Sequence, residues 1–345
     1  MTYSQGPGYW RCRGRQLGVT AEGGSSNRFV AWRFARSLGV RAATVLIFAV
    51  GLGASAHRAQ AGINVWTTHG PYGGRVNVLA LDPATSSTVY AGIDGGGVFK
   101  SNNNGTSWSA INAGLSGNAL SVNALAINPT TPNTIYAGTF AGVFMSTNGG
   151  GNWHRIGFAL TDPSATPLSV QVLAIDPATP STLYAGTWGE GVYYIGSVGA
   201  GLFKSTNSGA SWSNTGLTDP GGTALDVYNL AIDPSTPSTL YAGTGGGVFR
   251  STNSGGSWSA VSSGLADPRG NTFGVSALDI DPTTPSTLYA GTVGGVFKST
   301  DGGGSWHRVS FGLTDSSRNI FGISTLAIDP ATPSTLYAGT YRDGV

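Results

Sequence analysis

A repeated octet, Ser-x-Asn/Asp-x-Gly-x-x-Trp, is the feature of this sequence that most constrains the fold. It occurs five times in 345 residues. Successive copies are separated by about 45 to 59 residues, and the sequence between them consists of short β-type runs and Gly-rich turns. Such a period is typical of repeat architectures, including the β-propeller. The Asn/Asp and Trp positions of the five copies are Asn103 and Trp108, Asn148 and Trp153, Asn207 and Trp212, Asn253 and Trp258, and Asp301 and Trp306.

The octet is one part of a longer unit that contains four strand-like segments. The unit opens with an apolar run, 76–81 in the first copy, which ends at Asp82-Pro83 because proline cannot continue a central strand. A Tyr-Ala-Gly segment, a Gly-Val-Phe-Lys-Ser segment and a segment beginning at the octet Trp complete the unit. We therefore predict an all-β fold, a β-propeller of four-stranded antiparallel blades, with about six blades and the last one incomplete.

The two ends of the repeat region lack complete units. Residues 63–70 place Trp66 in the same context as Trp153, which predicts a fourth strand that has no blade of its own. The last unit stops at Val345, where its third strand should begin. An N-terminal fourth strand could complete that last blade, and we expect the C-terminus to be truncated.

The octet resembles the Asp-box, or BNR repeat, of sialidases, xyloglucanases, sortilin-type receptors and a photosystem II assembly factor, all of which are propellers. The resemblance covers residues 76–340. Local chemistry agrees with it, since the side-chain oxygen at the third position can accept backbone N–H groups and the Gly tolerates positive φ. Four of the five copies carry Asn in place of Asp, which disfavours calcium at these turns because a hard cation prefers carboxylates.

Residues 1–61 differ in composition from the rest of the chain. They hold eight of the eighteen Lys and Arg residues and a single acid, Glu22. Basic residues precede the apolar run 42–54, and Ala59 and Ala61 supply the small residues of a cleavage site. This pattern predicts a leader with an export signal peptide, and about 13 apolar residues are too few to span a bilayer, which takes roughly 20.

Residues 62–345 are predicted to form a single, exported propeller domain. Ten basic residues face fifteen acids there, a formal charge of −5, so a nucleic-acid partner has no electrostatic support. The only cysteine, Cys12, lies in the leader, and no metal-ligand spacing occurs. We expect no cofactor, no metal and no membrane span after signal cleavage. The predicted location is secreted, periplasmic or at the cell surface.

The order of the strands within a blade places successive turns on opposite faces of the propeller. The Asp-Pro turns and the octets fall on one face, and all the variation in turn length falls on the other. The variable face is therefore the predicted ligand-binding face, and the octets are predicted to be scaffold. Its predicted ligand-binding residues are Trp188, Glu190, Tyr193 and Tyr194 in the one clear insertion, together with Arg75, Asn77, Asn123, Gln171, Asp226 and Asp279.

Aromatic rings beside carboxylates suit carbohydrate, because the rings offer an apolar platform and the acids bind hydroxyls. The alternative is that the insertion is an ordinary surface loop whose aromatics pack on the neighbouring blade. Asp279 stands where other first strands carry Ala, so its carboxylate either has a function or faces channel water. Asp219, Asp267 and their counterparts Asp162 and Asp315 recur in similar turns and are interpreted as loop caps.

Catalysis would require a pair of carboxylates about 5 Å apart for a retaining glycosidase, or further apart for an inverting one. Glu190 and Asp226 form the best available pair, and Tyr228 is a further candidate. The resemblance to sialidases implies an arginine triad, for which Arg75, Arg269 and Arg318 could reach the variable face. The Phe/Tyr-Arg-Ile-Pro motif of sialidases is absent, and xyloglucanases use far longer chains with two propellers.

The sequence therefore favours a secreted, non-catalytic propeller that binds a glycan or an extracellular or cell-surface protein through its variable face. Two alternatives remain open. One is a sialidase-like or xyloglucanase-like glycoside hydrolase that uses carboxylates on that face. The other is a scaffold like the photosystem assembly factor, which needs a basic patch that a chain of this charge does not obviously supply.

Overall fold

The computed structural model describes residues 70–71, 74–157, 160–161, 166–188, 201–310, 313 and 321–341. These residues form five four-stranded antiparallel sheets and one two-stranded sheet. Each four-stranded sheet is built from consecutive strands in the order 1-2-3-4, which is the arrangement of a propeller blade. The predicted all-β propeller with an incomplete last blade is confirmed.

The strands repeat with similar lengths from blade to blade, and the fourth strand is always the shortest. The bounds in blades 1 to 3 are β1 Val76–Leu81, β2 Val89–Ile93, β3 Gly97–Ser101, β4 Ser109–Ala110; β5 Val122–Ile127, β6 Ile135–Thr139, β7 Gly142–Ser146, β8 His154–Ile156; β9 Ser169–Ile175, β10 Leu183–Trp188, β11 Gly201–Ser205, β12 Ser213–Asn214. Those in blades 4 to 6 are β13 Val227–Ile232, β14 Leu240–Thr244, β15 Gly247–Ser251, β16 Ser259–Ala260; β17 Val275–Ile280, β18 Leu288–Thr292, β19 Gly295–Ser299, β20 His307–Arg308; β21 Ile323–Ile328, β22 Leu336–Thr340.

Successive blades pack first strand against first strand, and the cores lie between the sheets. The glycine of each Tyr-Ala-Gly segment makes this approach possible. A Cβ on Gly186 would lie 2.8 Å from Val227 Cγ1 of the next blade, well inside a normal contact distance. The repeated glycine is therefore a packing requirement at the blade interface.

The octets form closed turns in which each polar side chain meets a backbone group. In blade 4, Ser251 Oγ accepts the Gly255 N–H at 2.9 Å and donates to Asn253 Oδ1, which in turn accepts the Ser257 N–H at 2.8 Å. The other four octets make the same three bonds. This agrees with the role expected for the oxygen at the third position.

The octet tryptophans pack between blades to different depths. Trp153, Trp212 and Trp306 are buried, whereas Trp108 and Trp258 are half-buried. Trp153 and Trp306 donate their indole N–H groups to backbone carbonyls of the preceding blade, at 2.7 Å from Ile111 O and Val261 O respectively. The rings of Trp153 and Trp306 thus lie between neighbouring sheets.

The Asp-Pro turns are capped in the same way in all six blades. Asp233 Oδ1, for example, accepts the backbone N–H groups of Ser235 and Thr236 at 2.8 and 3.1 Å. Equivalent pairs of bonds occur at Asp82, Asn128, Asp176, Asp281 and Asp329. The face that carries the octets and these turns, the octet face, is therefore built from self-contained hydrogen-bonded turns.

Candidate functional site

The variable face is the opposite edge of the blades, where every first strand begins. All six first strands contain a register shift, which falls at the second residue of five strands and at the third residue of β9. A bulge of this kind leaves one residue unpaired and redirects its side chain, and bulges are frequent next to functional sites. The six bulge residues are Asn77, Asn123, Gln171, Tyr228, Ser276 and Ser324.

The bulge residues of blades 1 and 2 form an amide row that runs toward blade 3. Asn77 Nδ2 donates to Val122 O and to Asn123 Oδ1, both at 3.2 Å, and Asn123 Nδ2 donates to Val170 O, also at 3.2 Å. Arg75 Nε donates to Asn77 Oδ1 at 3.0 Å, which adds a guanidinium to one end of the row. The structure thus brings Arg75, Asn77 and Asn123 together.

Gln171 continues the series of bulge residues in blade 3 but bonds within its own strand. Its Nε2 donates to Ser169 Oγ at 2.9 Å. The amide row and Gln171 together give one side of the variable face a surface of hydrogen-bonding amides. Such groups can donate to and accept from hydroxyls or peptide groups.

Exposed aromatic side chains occupy the variable face of blades 3, 4 and 6. Trp188 and Tyr228 are each 40% exposed, and Tyr341 is 60% exposed. Trp188 ends β10, two residues beyond Gly186, which lies against Val227 of blade 4. Trp188 and Tyr228 therefore flank the interface of blades 3 and 4 at the same edge.

Tyr341 carries the aromatic surface toward blade 5. Its hydroxyl donates to Ser276 Oγ at 2.9 Å, and its backbone N–H bonds to Gly322 O. The described part of the variable face thus carries three large aromatic side chains that keep 40–60% of their surface exposed.

Charged groups on the variable face are few among the described residues. Asp226 immediately precedes β13 and is half-buried beside Tyr228. At blade 1, the exposed Asp94 and Arg75 are held close by a backbone bond of 2.9 Å from the Asp94 N–H to Arg75 O. Glu190, Tyr193 and Tyr194, which complete the predicted site, lie outside the described residues, as do Arg318, Asp162 and Asp315.

Asp279 lies three residues beyond the bulge of β17, away from the variable-face end of the strand. Its Oδ1 accepts its neighbour's N–H, from Ile280, at 2.9 Å, and its Oδ2 accepts the Ile328 N–H of blade 6 at 3.0 Å. The carboxylate therefore links the first strands of blades 5 and 6. A role for Asp279 in ligand binding stays a prediction.

Two of the turns interpreted as loop caps are described. Asp267 Oδ1 accepts the N–H groups of Arg269 and Asn271 at 2.8 and 2.9 Å, and Asp219 Oδ1 accepts the Thr223 N–H at 2.8 Å. Hydrogen bonds from the Asn271 side chain and backbone hold the pKa of Asp267 below its usual value. These carboxylates are committed to their own turns.

Metal chemistry finds no support in the part of the chain that the structure describes. No group of three or more His, Cys, Asp or Glu side chains there could hold a metal ion. Among the same residues, no helix has the length and apolar character needed to span a bilayer.

Sequence reasoning missed three features of the variable face. None of the six bulge residues is a Gly or a Pro, the residues that mark a break in a strand. The alternation of polar and apolar residues therefore gave no indication of the bulges. Asp94 was overlooked because its turn, Ile-Asp-Gly-Gly-Gly, is specific to the first unit, although that difference itself was a usable signal. Tyr341 was overlooked because it follows the last Tyr-Ala-Gly segment and has no aromatic counterpart in most units.

Comparisons with known proteins identify the architecture. No family model and no curated protein matches the sequence. Among solved structures, an ancestral GH74 enzyme is similar with a TM-score of 0.63 and 27% identity, over 79% of this chain and 35% of that chain. The GH74 xyloglucanase from Xanthomonas campestris is similar with a TM-score of 0.60 and 21% identity, over 77% of this chain and 43% of that chain.

A third similar structure is the extracellular domain assigned to a hybrid two-component system of B. thetaiotaomicron. Its TM-score is 0.58 at 17% identity, and the match covers 79% of this chain and 33% of that chain. The chain thus spans between a third and less than half of the length of these proteins. GH74 enzymes and an extracellular domain both occur among the proteins that this chain resembles in fold.

Proposed function

We propose that this protein is an exported propeller that binds a glycan on its variable face without cleaving it. The observation that carries the proposal is the set of exposed aromatics, Trp188, Tyr228 and Tyr341, on the same face as the amide row. Sugar rings present apolar faces ringed by hydroxyls, so a ligand of this class would use both kinds of group. A protein partner is the second candidate for the same surface.

Similarity to the ancestral GH74 enzyme, at 27% identity, supports a polysaccharide-related role. The same similarity supports the alternative that the chain is a glycoside hydrolase, with Glu190 and Asp226 as its carboxylates. We favour binding because most of the described carboxylates accept hydrogen bonds from backbone N–H groups of turns and strands. An extracellular location is supported by the predicted signal peptide and by the similarity to an extracellular domain.

Binding can be tested by affinity electrophoresis and calorimetry of the purified protein with xyloglucan, mixed-linkage β-glucan and sialosides. We expect Tyr228→Ala to weaken binding about tenfold, which corresponds to roughly 1.4 kcal/mol and to the value of one aromatic contact. Tyr337→Ala is a matched control, since Tyr337 is 44% exposed but belongs to β22 and not to a variable-face bulge. An equal loss of glycan affinity in the two variants would contradict a glycan-binding site on the variable face.

Turnover is measured in the same samples as release of reducing sugar. Ligand binding with no release supports the non-catalytic function. Release that is lost in Glu190→Gln or Asp226→Asn establishes the hydrolase alternative. Binding of none of the glycans, with capture of a defined extracellular protein that depends on Tyr228, supports the second candidate.

A further inference from the structure

The turn after the second strand places one residue of each blade at an equivalent point on the variable face. In every blade, the residue before the bulge pairs with one residue of the second strand, as Val227 pairs with Thr244 in blade 4. The residue that follows this partner begins the turn. The six turn residues are Asp94, Phe140, Trp188, Gly245, Val293 and Tyr341. Their positions are therefore related by the same repeat as the blades, which surround a central channel.

Contacts between blades join these turns into a rim. In blade 2, Ser121 Oγ accepts the N–H of Gly95 from the blade 1 turn at 3.1 Å. Between blades 5 and 6, a Cβ on Gly322 would lie 3.0 Å from Tyr341 Cδ2 and 3.6 Å from Val293 Cα. At both interfaces, neighbouring turns are held side by side by the residue that lies two positions before a bulge.

Blade 4 differs because its turn residue is a glycine. A Cβ on Gly245 would lie 3.7 Å from Tyr228 Oη and 3.9 Å from Tyr228 Cε2, so the ring of the bulge residue lies against this turn. Tyr228 thereby supplies the side chain that the turn itself lacks. Val293 is 62% exposed, and Phe140 is half-buried. We name the resulting set of side chains the collar, which consists of Phe140, Trp188, Tyr228, Val293 and Tyr341.

Hydrogen-bonding side chains lie inside the collar. The first strands of successive blades contact one another and surround the channel, so a bulge residue lies closer to the channel than the turn residue of its blade. Apart from Tyr228, the bulge residues carry amides or hydroxyls, and they are Asn77, Asn123, Gln171, Ser276 and Ser324. Blade 1 interrupts the collar with the exposed Asp94 and Arg75. The channel mouth is therefore polar, and apolar or aromatic side chains surround it in blades 2 to 6.

We propose that the collar and the channel mouth bind the end of a glycan chain that stands along the channel axis, an inference that rests on the proposed function. A glycan that lies flat on a protein needs aromatic side chains spaced along its length. Residues related by the blade repeat instead surround one point, so a terminal sugar can contact apolar side chains of several blades. Its hydroxyls then face the amides and hydroxyls of the bulge residues. A sugar within the chain cannot enter in this way because it is linked on both sides.

Chain ends can be counted, which makes the proposal testable with xyloglucan and mixed-linkage β-glucan. Each polymer is used intact and as fractions shortened by an endoglucanase, and the reducing ends per gram are measured in every fraction. Calorimetry with the purified protein gives the number of binding sites per gram. We expect this number to rise in proportion to the ends, so that halving the mean chain length doubles the protein bound per gram.

The same titration separates failure of this proposal from failure of the proposed function. A number of sites per gram that stays constant as the chains shorten would overturn end binding, since the protein would then bind internal segments, and glycan binding would stand. No binding to either glycan at any length would contradict the proposed function, and this proposal with it.

A charged substitution in the collar tests whether the site surrounds the channel mouth. Val293 is exposed in the blade 5 turn, two blades away from Trp188, so Val293→Glu leaves the core intact and places a carboxylate at the rim. We expect the affinity for the shortened glycans to fall about tenfold, because the carboxylate must lose water on contact with the sugar. Ala260→Glu, at an exposed position of the outer strand β16, is the control and should keep the native affinity. Native affinity in Val293→Glu would confine the ligand to blades 3 and 4 and overturn the proposal.

Discussion

The two faces of the propeller use the same repeat in opposite ways. On the octet face, Ser, Asn and Asp side chains bond to backbone groups of their own turns, blade after blade. On the variable face, the six bulges carry four different residue types, and Trp188, Tyr228 and Tyr341 remain exposed. We therefore predict that fold stability and the proposed ligand binding depend on separate sets of residues.

This separation explains how a chain with few charges and many glycines can hold a fixed shape. The Ser and Asn or Asp side chains of each octet bond within their own turn, so changing the opposite edge leaves these groups paired. Substitutions on the octet face should therefore lower stability more than those on the variable face, which should mainly alter binding. The predictions below test that division, beginning with the largest expected effect.

Removing an interblade tryptophan should have the largest effect on stability. Trp306 is 2% exposed and donates to Val261 O at 2.7 Å. We expect Trp306→Ala to lower the free energy of unfolding by about 3–5 kcal/mol, since it leaves a cavity and an unpaired carbonyl. Urea denaturation measures this, and Trp188→Ala, the change of the same residue type on the variable face, should cost only about 1–2 kcal/mol because its ring is 40% exposed. Similar losses in both variants would contradict the division between the faces.

Removing the first serine of an octet should have a smaller but clear effect. Ser251 is 1% exposed, and its Oγ both accepts the Gly255 N–H and donates to Asn253. Ser251→Ala leaves that N–H unpaired in a buried turn, which we expect to cost about 1–3 kcal/mol of unfolding free energy. Ser116→Ala is the control, expected within about 0.5 kcal/mol, because Ser116 is exposed in the connection between blades 1 and 2 and its hydroxyl makes no capping bond. A negligible effect at Ser251 would mean that water replaces its hydroxyl.

Most of the fold was predictable from the sequence, whereas only part of the candidate site was. Strand order and the incomplete last blade followed from the spacing of the octets, the Asp-Pro turns and the Tyr-Ala-Gly segments, because each depends on local chemistry. The amide row was predicted only as separate residues. Contact between Asn77 and Asn123 arises from the packing of two blades, 46 positions apart in sequence, and no local pattern encodes it.

Asp279 illustrates the same limit. Its departure from the Ala of other first strands was visible in the sequence, but its hydrogen bond to the Ile328 N–H of blade 6 depends on the distance between two strands. A polar residue at an inward position has two interpretations, ligand contact and interblade link. Only the tertiary arrangement reveals which groups surround it.

Alkaline pH should weaken the interblade contacts of the octet face. Tyr184 donates to Ser254 O of the next blade, and burial is the main cause that raises its pKa to about 12. Because the folded-state pKa exceeds the ordinary value of 10.0, the stabilisation is present below pH 10 and is lost as the pH rises toward 12. We expect Tyr184→Phe to flatten the decline of the unfolding free energy over that range.

The check is urea denaturation at pH 8 and at pH 11 for both proteins. At pH 8 the variant should be less stable by about 0.5–1.5 kcal/mol, the value of one hydrogen bond. Burial also raises the pKa of Tyr136 and Tyr241, so these two tyrosines should contribute in the same direction. If the unfolding free energy of Tyr184→Phe declines as steeply with pH as that of the native protein, the alkaline sensitivity arises from other groups.

The smallest effect concerns the single octet that carries Asp in place of Asn. Hydrogen bonds from Ser305 and Ser299 lower the pKa of Asp301 from 3.8 to about 2. This carboxylate therefore stabilises the fold above pH 4, and its contribution is lost as the pH falls toward 2. Asp301→Asn should remove that part of the acid sensitivity and leave stability at pH 7 nearly unchanged. In an octet with Asn, Asn253 Nδ2 donates a hydrogen bond to Ser257 Oγ. In the octet with Asp the direction is reversed, because Asp301 Oδ2 accepts a hydrogen bond from Ser305 Oγ.

Asn253→Asp is the reciprocal control, since it introduces a carboxylate into an equivalent turn. It should add acid sensitivity between pH 4 and 2 that the native protein lacks at this position. Acid titration of the unfolding free energy for the two variants and the native protein provides the comparison. If neither substitution changes the titration, the octet charge does not contribute to stability, and the Asn of the other four copies is equivalent to Asp for folding. Opposite shifts in the two variants would show that each octet contributes to stability independently of its neighbours.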